Sequence, residues 1–364
     1  MKIVQVCNRY YPYTGGIETL IRQISERLVT KGFEVEIFST DPFKILSKEE
    51  TINNVKILRF NSIAPTEAYY LPYPEMLSAM LIENMDILHA HGIGVFTTFL
   101  AYIVHKIHKD FKFIISPYYH GRGHTNIAQL LWKPYRPLAK KILKDADAII
   151  INSRAQRTSL RRTFGLSSKF FKVYDGVNLK KIKEAEPFVI NENMKILLYV
   201  GRLENYKGVQ IPIASMKYLP ENYHFYIVGD GRFRLYLENL VKSLNLEKRI
   251  HFLGFQPDNI VYRWYKTAHL FLHLSSVESF GMTCIESLAA GTPVIANDDG
   301  FGLRETIDIY PDYIMVYRKN NDAISKLVDL VIKAVEMKPI DVDVSHFSWD
   351  CIAERMSDIY TKEI

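Results

Sequence analysis

Absences bound this sequence first. Its 364 residues hold only three cysteines, Cys7, Cys284 and Cys351, with no CxxC or Cys/His ligand spacing among them. That argues against a disulfide framework and a structural zinc site. No apolar run approaches the roughly 18 residues that a membrane span needs. The opening MKIVQVCN meets Arg9 and a Tyr/Pro turn too early for a secretory signal, so a cytoplasmic location is expected. GxGxxG is missing as well: Asp41 follows the second strand, where a dinucleotide fold places an acid, but without the glycines there is little support for NAD. No short-period repeat appears, and neither a metal nor a nucleic-acid partner is expected.

What is present suits a folded protein of two domains. Hydrophobic residues make up 48% and charged residues 24%, and the length exceeds one typical core. Strand-like runs alternate with helical patterns at 2–6, 33–39, 55–60, 86–90, 111–117, 148–152 and 170–174, which implies a mostly parallel sheet covered by helices. A polar stretch at 180–194 reads as a linker. The alternation then restarts at 195–200, 224–228, 250–255, 269–274 and 293–296. The fold class expected is α/β, with two doubly wound, Rossmann-like domains facing a cleft. Domain one covers 1–183 and domain two 184–347. A terminal helix from 348, with Trp349, Ile352, Met356 and Ile359 on one face, either crosses back to the first domain or packs on its own.

Net charge is +6 but uneven: residues 131–172 carry eleven Lys/Arg against Asp145 and Asp147, a local net of +9. A solvated helical face explains this as well as an anionic surface does. The segment LLWKPYRPLAKKILK mixes Leu131, Trp132, Tyr135 and Leu138 with five cations, as helices lying on anionic lipid do, and AYYLPYP (68–74) adds aromatic surface.

Ligands of open parallel sheets bind beyond the carboxyl ends of the strands. At the first such turn, YPYTGGIE, Gly15 and Gly16 would let backbone approach a phosphate, with a purely structural Gly-Gly turn as the lesser alternative. In YVGRLENYKG, Arg202 and Lys207 follow a strand within one short turn and are suited to clamp a diphosphate. The stretch ESFGMTCIE places Glu278 on a loop and Glu286 on a short helix, with the N–H groups near Gly281 and Met282 at the helix start. Each acid alone would be an ordinary surface residue. With the two cations, they describe a site for a nucleotide diphosphate sugar.

The TGG turn, VGRLENYKG, VGDG, ESFGMTCIE, AAGTPVIA and the terminal FSW helix, in that order, resemble the GT-B glycosyltransferases of family 4, and the resemblance covers essentially the whole chain. It implies a retaining hexosyltransferase that needs no metal or other cofactor. Arg202 and Lys207 would hold the donor diphosphate, Glu286 the ribose, and Glu278 would face the transferred sugar. His120, in SPYYHG, would stand near the anomeric carbon as a catalytic residue with Glu278. A lipid-linked glycan is one acceptor the resemblance suggests, reached by a protein peripheral to the inner face of a membrane through residues 131–172. Two departures stand out: DGVN at 175–178 exchanges the family's amide and acid, and DDGFGLRE replaces the usual Gly-Gly before a late Glu. A nucleotide-sugar epimerase of the same architecture and an inactive nucleotide-sugar binding protein are the rival readings.

Overall fold

Strands such as KILLYV are apolar after their first residue because helices cover both faces of a parallel sheet. Ile196, Leu197, Leu198 and Tyr199 are accordingly buried. The computed structural model describes residues 1–13, 15–66, 69–119, 126–167, 169–318 and 323–364. The chain divides into two compact units, Met1–Asp175 with Trp349–Ile364, and Gly176–Ser348.

The first unit contains β1 (Lys2–Val6), α1 (Gly16–Thr30), β2 (Glu34–Asp41), β3 (Glu49–Ile52), β4 (Val55–Thr66), β5 (Tyr69–Pro72), α2 (Pro74–Ile82), β6 (Ile87–His91), α3 (Phe96–Ile107), β7 (Lys112–Ser116), α4 (Asn126–Asp145), β8 (Ala148–Ile151), α5 (Arg154–Phe164) and β9 (Phe170–Lys172). Its strands run in the order β3-β4-β2-β1-β6-β7-β8-β9, with β5 paired to β4. Among the described residues, only β3 and β5 are antiparallel, both to their neighbour β4. Strand order reverses direction between β1 and β6, which makes their carboxyl ends the switch point of this sheet.

The second unit runs α6 (Leu179–Glu184), β10 (Lys195–Val200), α7 (Gln210–Ser215), β11 (Tyr223–Val228), α8 (Arg234–Ser243), β12 (Ile250–Gly254), α9 (Asp258–Thr267), β13 (Leu270–His273), α10 (Met282–Ala289), β14 (Val294–Asn297), α11 (Gly302–Ile309), β15 (Ile314–Tyr317) and α12 (Ala323–Val335). All six strands are parallel, in the order β12-β11-β10-β13-β14-β15, so the switch point lies between β10 and β13. The division falls at Asp175/Gly176, earlier than the polar stretch suggests. Residues 176–183 go with the second unit because Ile182, on α6, is buried there.

The last helix, α13 (Trp349–Asp358), packs on the first unit. Trp349, Ile352, Met356, Ile359 and Tyr360 join Ile21, Ile24 and Leu28 of α1 in one buried cluster. Arg27 donates to Asp350 at 2.6 Å across the same helix pair, and the Tyr360 hydroxyl lies 2.6 Å from Nδ1 of buried His89. The apolar face read from the terminal sequence is thus the face that docks.

Candidate active site

Three loops converge at the switch point of the second sheet, and glycine decides how closely. The loop after β10 ends in a single tight turn, Asn205–Lys207, closed by Gly208 at φ 75°. A Cβ at Gly208 would come within 2.2 Å of the Leu274 carbonyl, so the loops after β10 and β13 can touch only with glycine there. Ser276 N–H then donates to the Tyr206 carbonyl at 2.8 Å. The loop after β14 joins them through Asp299, whose Oδ2 accepts from Glu278 N–H at 3.1 Å. A side chain at Gly302 would meet the Glu278 and Ser279 carbonyl oxygens at 2.3 Å, so the DDGFG text supports this approach.

This convergence joins Lys207 to Glu278. The Lys207 ammonium bonds Glu278 Oε1, and His273, the last residue of β13, reaches the same oxygen through Nε2 at 3.1 Å. Nδ1 of His273 lies 3.2 Å from the Thr283 hydroxyl at the start of α10. Burial works to raise the Glu278 carboxyl, but the bond and charge of His273 and the charge of Lys207 outweigh it and hold the group at about 2. Glu278 is a carboxylate at any physiological pH.

Glu286 has the opposite character. It lies on α10, accepts from the Tyr265 hydroxyl at 3.0 Å, and is raised by burial to about 7 despite that bond. Gly281 caps α10 in the left-handed region, φ 95°, and Met282 opens the helix. Its first N–H groups have no intrahelical acceptor and form the positive end of the helix. Arg202 is exposed on the β10 loop, with Nη2 3.5 Å from the Tyr206 hydroxyl. The structure thus joins Lys207 to Glu278 directly, sets Gly281 and Met282 at the start of α10 and Arg202 on the β10 loop, and places Glu286 farther along α10 against Tyr265.

Gly15 and Gly16 lie in the first unit at the start of α1. Glu18 folds back over this turn, close enough that a Cβ on Gly15 would strike its carboxylate, and it pairs with Arg9 at 3.0 Å. His120 lies outside the described residues. In DGVN, Asn178 caps α6, its Oδ1 accepting from Lys181 N–H at 3.3 Å, so the amide does what the usual acid would do there. Asp175 accepts from Asn152 at 3.4 Å and is raised by burial to about 6. Sequence reasoning missed His273, Tyr265 and Asp299. Of these, His273 was signalled by its place as a polar residue inside the apolar run HLFLHL.

The chain matches two family models that meet near the junction of the units. "Glycosyltransferase Family 4" spans residues 14–181 and "Glycosyl transferases group 1" spans 180–338. The chain belongs to glycosyltransferase family 4. As a GT-B enzyme it is 27% identical to an uncharacterised glycosyltransferase of Methanocaldococcus jannaschii, over 99% of this chain and 98% of that one. This family 4 glycosyltransferase is also 23% identical to the GPI3 subunit of the Saccharomyces cerevisiae phosphatidylinositol N-acetylglucosaminyltransferase, over 99% of the chain and 82% of the relative. In fold it is similar to Anabaena HepE, solved in complex with UDP and glucose, at TM-score 0.74 and 17% identity over 98% of each chain. Among the described residues no helix is long and apolar enough to cross a membrane.

Proposed function

We propose that this glycosyltransferase moves a hexosyl group from a nucleotide diphosphate sugar to a hydroxyl of a lipid-linked acceptor, with retention of anomeric configuration. The observation that carries the reading is the Lys207–Glu278–His273 cluster beside the start of α10 at the β10/β13 switch point. Lys207 and Arg202 neutralise the diphosphate, and the α10 N–H groups add fixed positive potential where charge develops on the leaving group. Glu286 accepts from ribose hydroxyls and Glu278 from the hydroxyls of the transferred sugar. The C1–O bond to phosphate breaks as the C1–O bond to the acceptor forms on the same face, and the acceptor's proton passes to the departing phosphate oxygen. His120, outside the described residues, is assigned to the anomeric centre in this scheme by the family resemblance alone, and the scheme requires no metal. A UDP-sugar donor has support from the ligands of the Anabaena protein, and a lipid acceptor from the name of the yeast relative. The protein would then work on the cytoplasmic face of a membrane, aided by the exposed cations of 131–172.

Thermal shift against UDP-, GDP- and ADP-sugars identifies the donor, since a ligand of the native state alone raises Tm. Proton NMR of the product with the matched donor and acceptor then reads the anomeric coupling. Retention supports the reading and inversion sinks it. Conversion of donor without acceptor would point to an epimerase, and binding without turnover on any acceptor to a binding protein.

A further inference from the structure

Helix α4 carries the pattern of a lipid-facing helix, yet its described apolar side chains are turned into the first unit. Trp132 stacks on Tyr119 at 5.5 Å, the Tyr135 hydroxyl donates to the Ile93 carbonyl at 2.8 Å, and Leu138 packs against the core. Arg136, Lys140, Lys141 and Lys144 face solvent. These cations can draw the protein towards anions, but among its described side chains α4 offers nothing apolar to insert. This unit also exposes Ile82 and Ile107 at the ends of α2 and α3, and a further apolar group follows β2 and lines β4 and β5. Phe43 is 68% exposed and Ile45 75% in the loop after β2, while Ile63 (57%) and Leu71 (43%) are partners across β4 and β5.

The loop is held from beneath. Asp41 accepts from Phe43 N–H at 3.2 Å, Leu46 N–H at 2.8 Å and the Tyr13 hydroxyl at 2.9 Å. Lys44 turns through a left-handed φ of 57° between the two apolar residues, and its ammonium reaches the Tyr73 hydroxyl at 3.3 Å. Nearby acids are paired, Glu50 with Arg59 and Glu49 with Lys56, whereas Lys44 and Lys48 are exposed. Strands β2, β4 and β8 run parallel, so this loop, the end of β4 and the start of α5 with exposed Arg154 and Arg157 open at one edge of the sheet.

We propose that the 42–48 loop, with Ile63 and Leu71 beside it, is the element by which this protein enters an anionic bilayer, the cations of α4 and α5 acting only at long range. The inference deepens the lipid-acceptor reading above and rests on it for its purpose. Four apolar side chains interleaved with lysines fall short of the roughly 800 Å² per partner of a stable protein interface. They suit the headgroup boundary, where apolar tips sink among acyl chains and lysines stay level with the phosphates.

The test uses the full chain and vesicles of equimolar phosphatidylglycerol and phosphatidylcholine, with phosphatidylcholine alone as control. The protein is expected to pellet with the anionic vesicles only, and Phe43→Ser/Ile45→Ser to weaken partitioning by about tenfold or more with Tm unchanged. Ile45→Trp, read as a difference from the parent with its three tryptophans, is expected to shift emission to the blue on mixing. No pelleting at low salt overturns the proposal. So does a Phe43→Ser/Ile45→Ser variant that pellets like the parent, an unshifted Ile45→Trp, or a change of oligomeric state on removing Phe43 and Ile45, which would make the patch a self-interface. Calorimetry with the matched nucleotide sugar runs in parallel. Intact donor binding without vesicle binding sinks this inference alone, and the reverse result sinks the transfer reading alone.

Discussion

Lys207 neutralises Glu278 within the protein, and on the proposed scheme a diphosphate competes for the same ammonium. Lys207→Ala is therefore expected to lower kcat by roughly a hundredfold, the scale of losing one charge-stabilising group. Steady-state turnover equal to the parent's would remove Lys207 from the mechanism. The two acids of ESFGMTCIE also differ in their proton linkage. Glu278 is depressed from 4.5 to about 2, so its contribution to stability is present above 4.5 and is lost as the pH falls towards about 2. Glu286 is raised from 4.5 to about 7, so the folded state holds the proton more tightly and stability falls as the pH rises through that window. Glu286→Gln should accordingly raise Tm above the upper end of the window relative to the parent, and change it little below the lower end. On the proposed scheme ribose hydroxyls donate to Glu286 and favour its charged form, so donor binding near neutral pH should release a proton. Calorimetry in two buffers of different ionisation enthalpy measures that release, which Glu286→Gln should abolish.

At the level of the element, the start of α10 depends on a backbone shape that only Gly281 adopts without strain. Gly281→Ala would hold a side chain at φ 95° and bring its Cβ to 2.6 Å from Leu303, at a cost of about 1–3 kcal/mol. A lowered Tm together with weakened donor affinity is expected. A variant that melts and binds like the parent would show that the helix start tolerates movement. Periodicity made the inner strands and α10 legible in the sequence, because buried parallel strands are short continuous apolar runs between turn signals. It was silent on β3, β5 and β15, which lie at sheet margins where fewer neighbours constrain the pattern. The site divided in the same way. Lys207 and Glu278 were each readable from their turns, but their bond spans 71 positions and needs Gly208 to bring two loops into contact. Asp299 was hidden because its work is done through backbone N–H groups of Glu278, Phe301 and Arg304, which no side-chain motif reports.

For the whole molecule, α13 is the consequential piece. Trp349, Ile352, Met356 and Ile359 are buried against the first unit, each worth about 1.5–3 kcal/mol, which together compare with the stability of an entire domain. Removing residues 349–364 should yield a protein whose first unit is aggregated or molten, seen as loss of its cooperative melting transition. Retention of that transition would show that α13 is dispensable. The chain leaves the first unit at Asp175 and re-enters it at Trp349, with Val177 and Ser348 bridged at the crossing. On the ribosome, then, the second unit is complete while the first still lacks a wall of its core. The unit begun earlier in synthesis is the one finished later, and it must wait, exposed along α1, until residues 349–364 have been made.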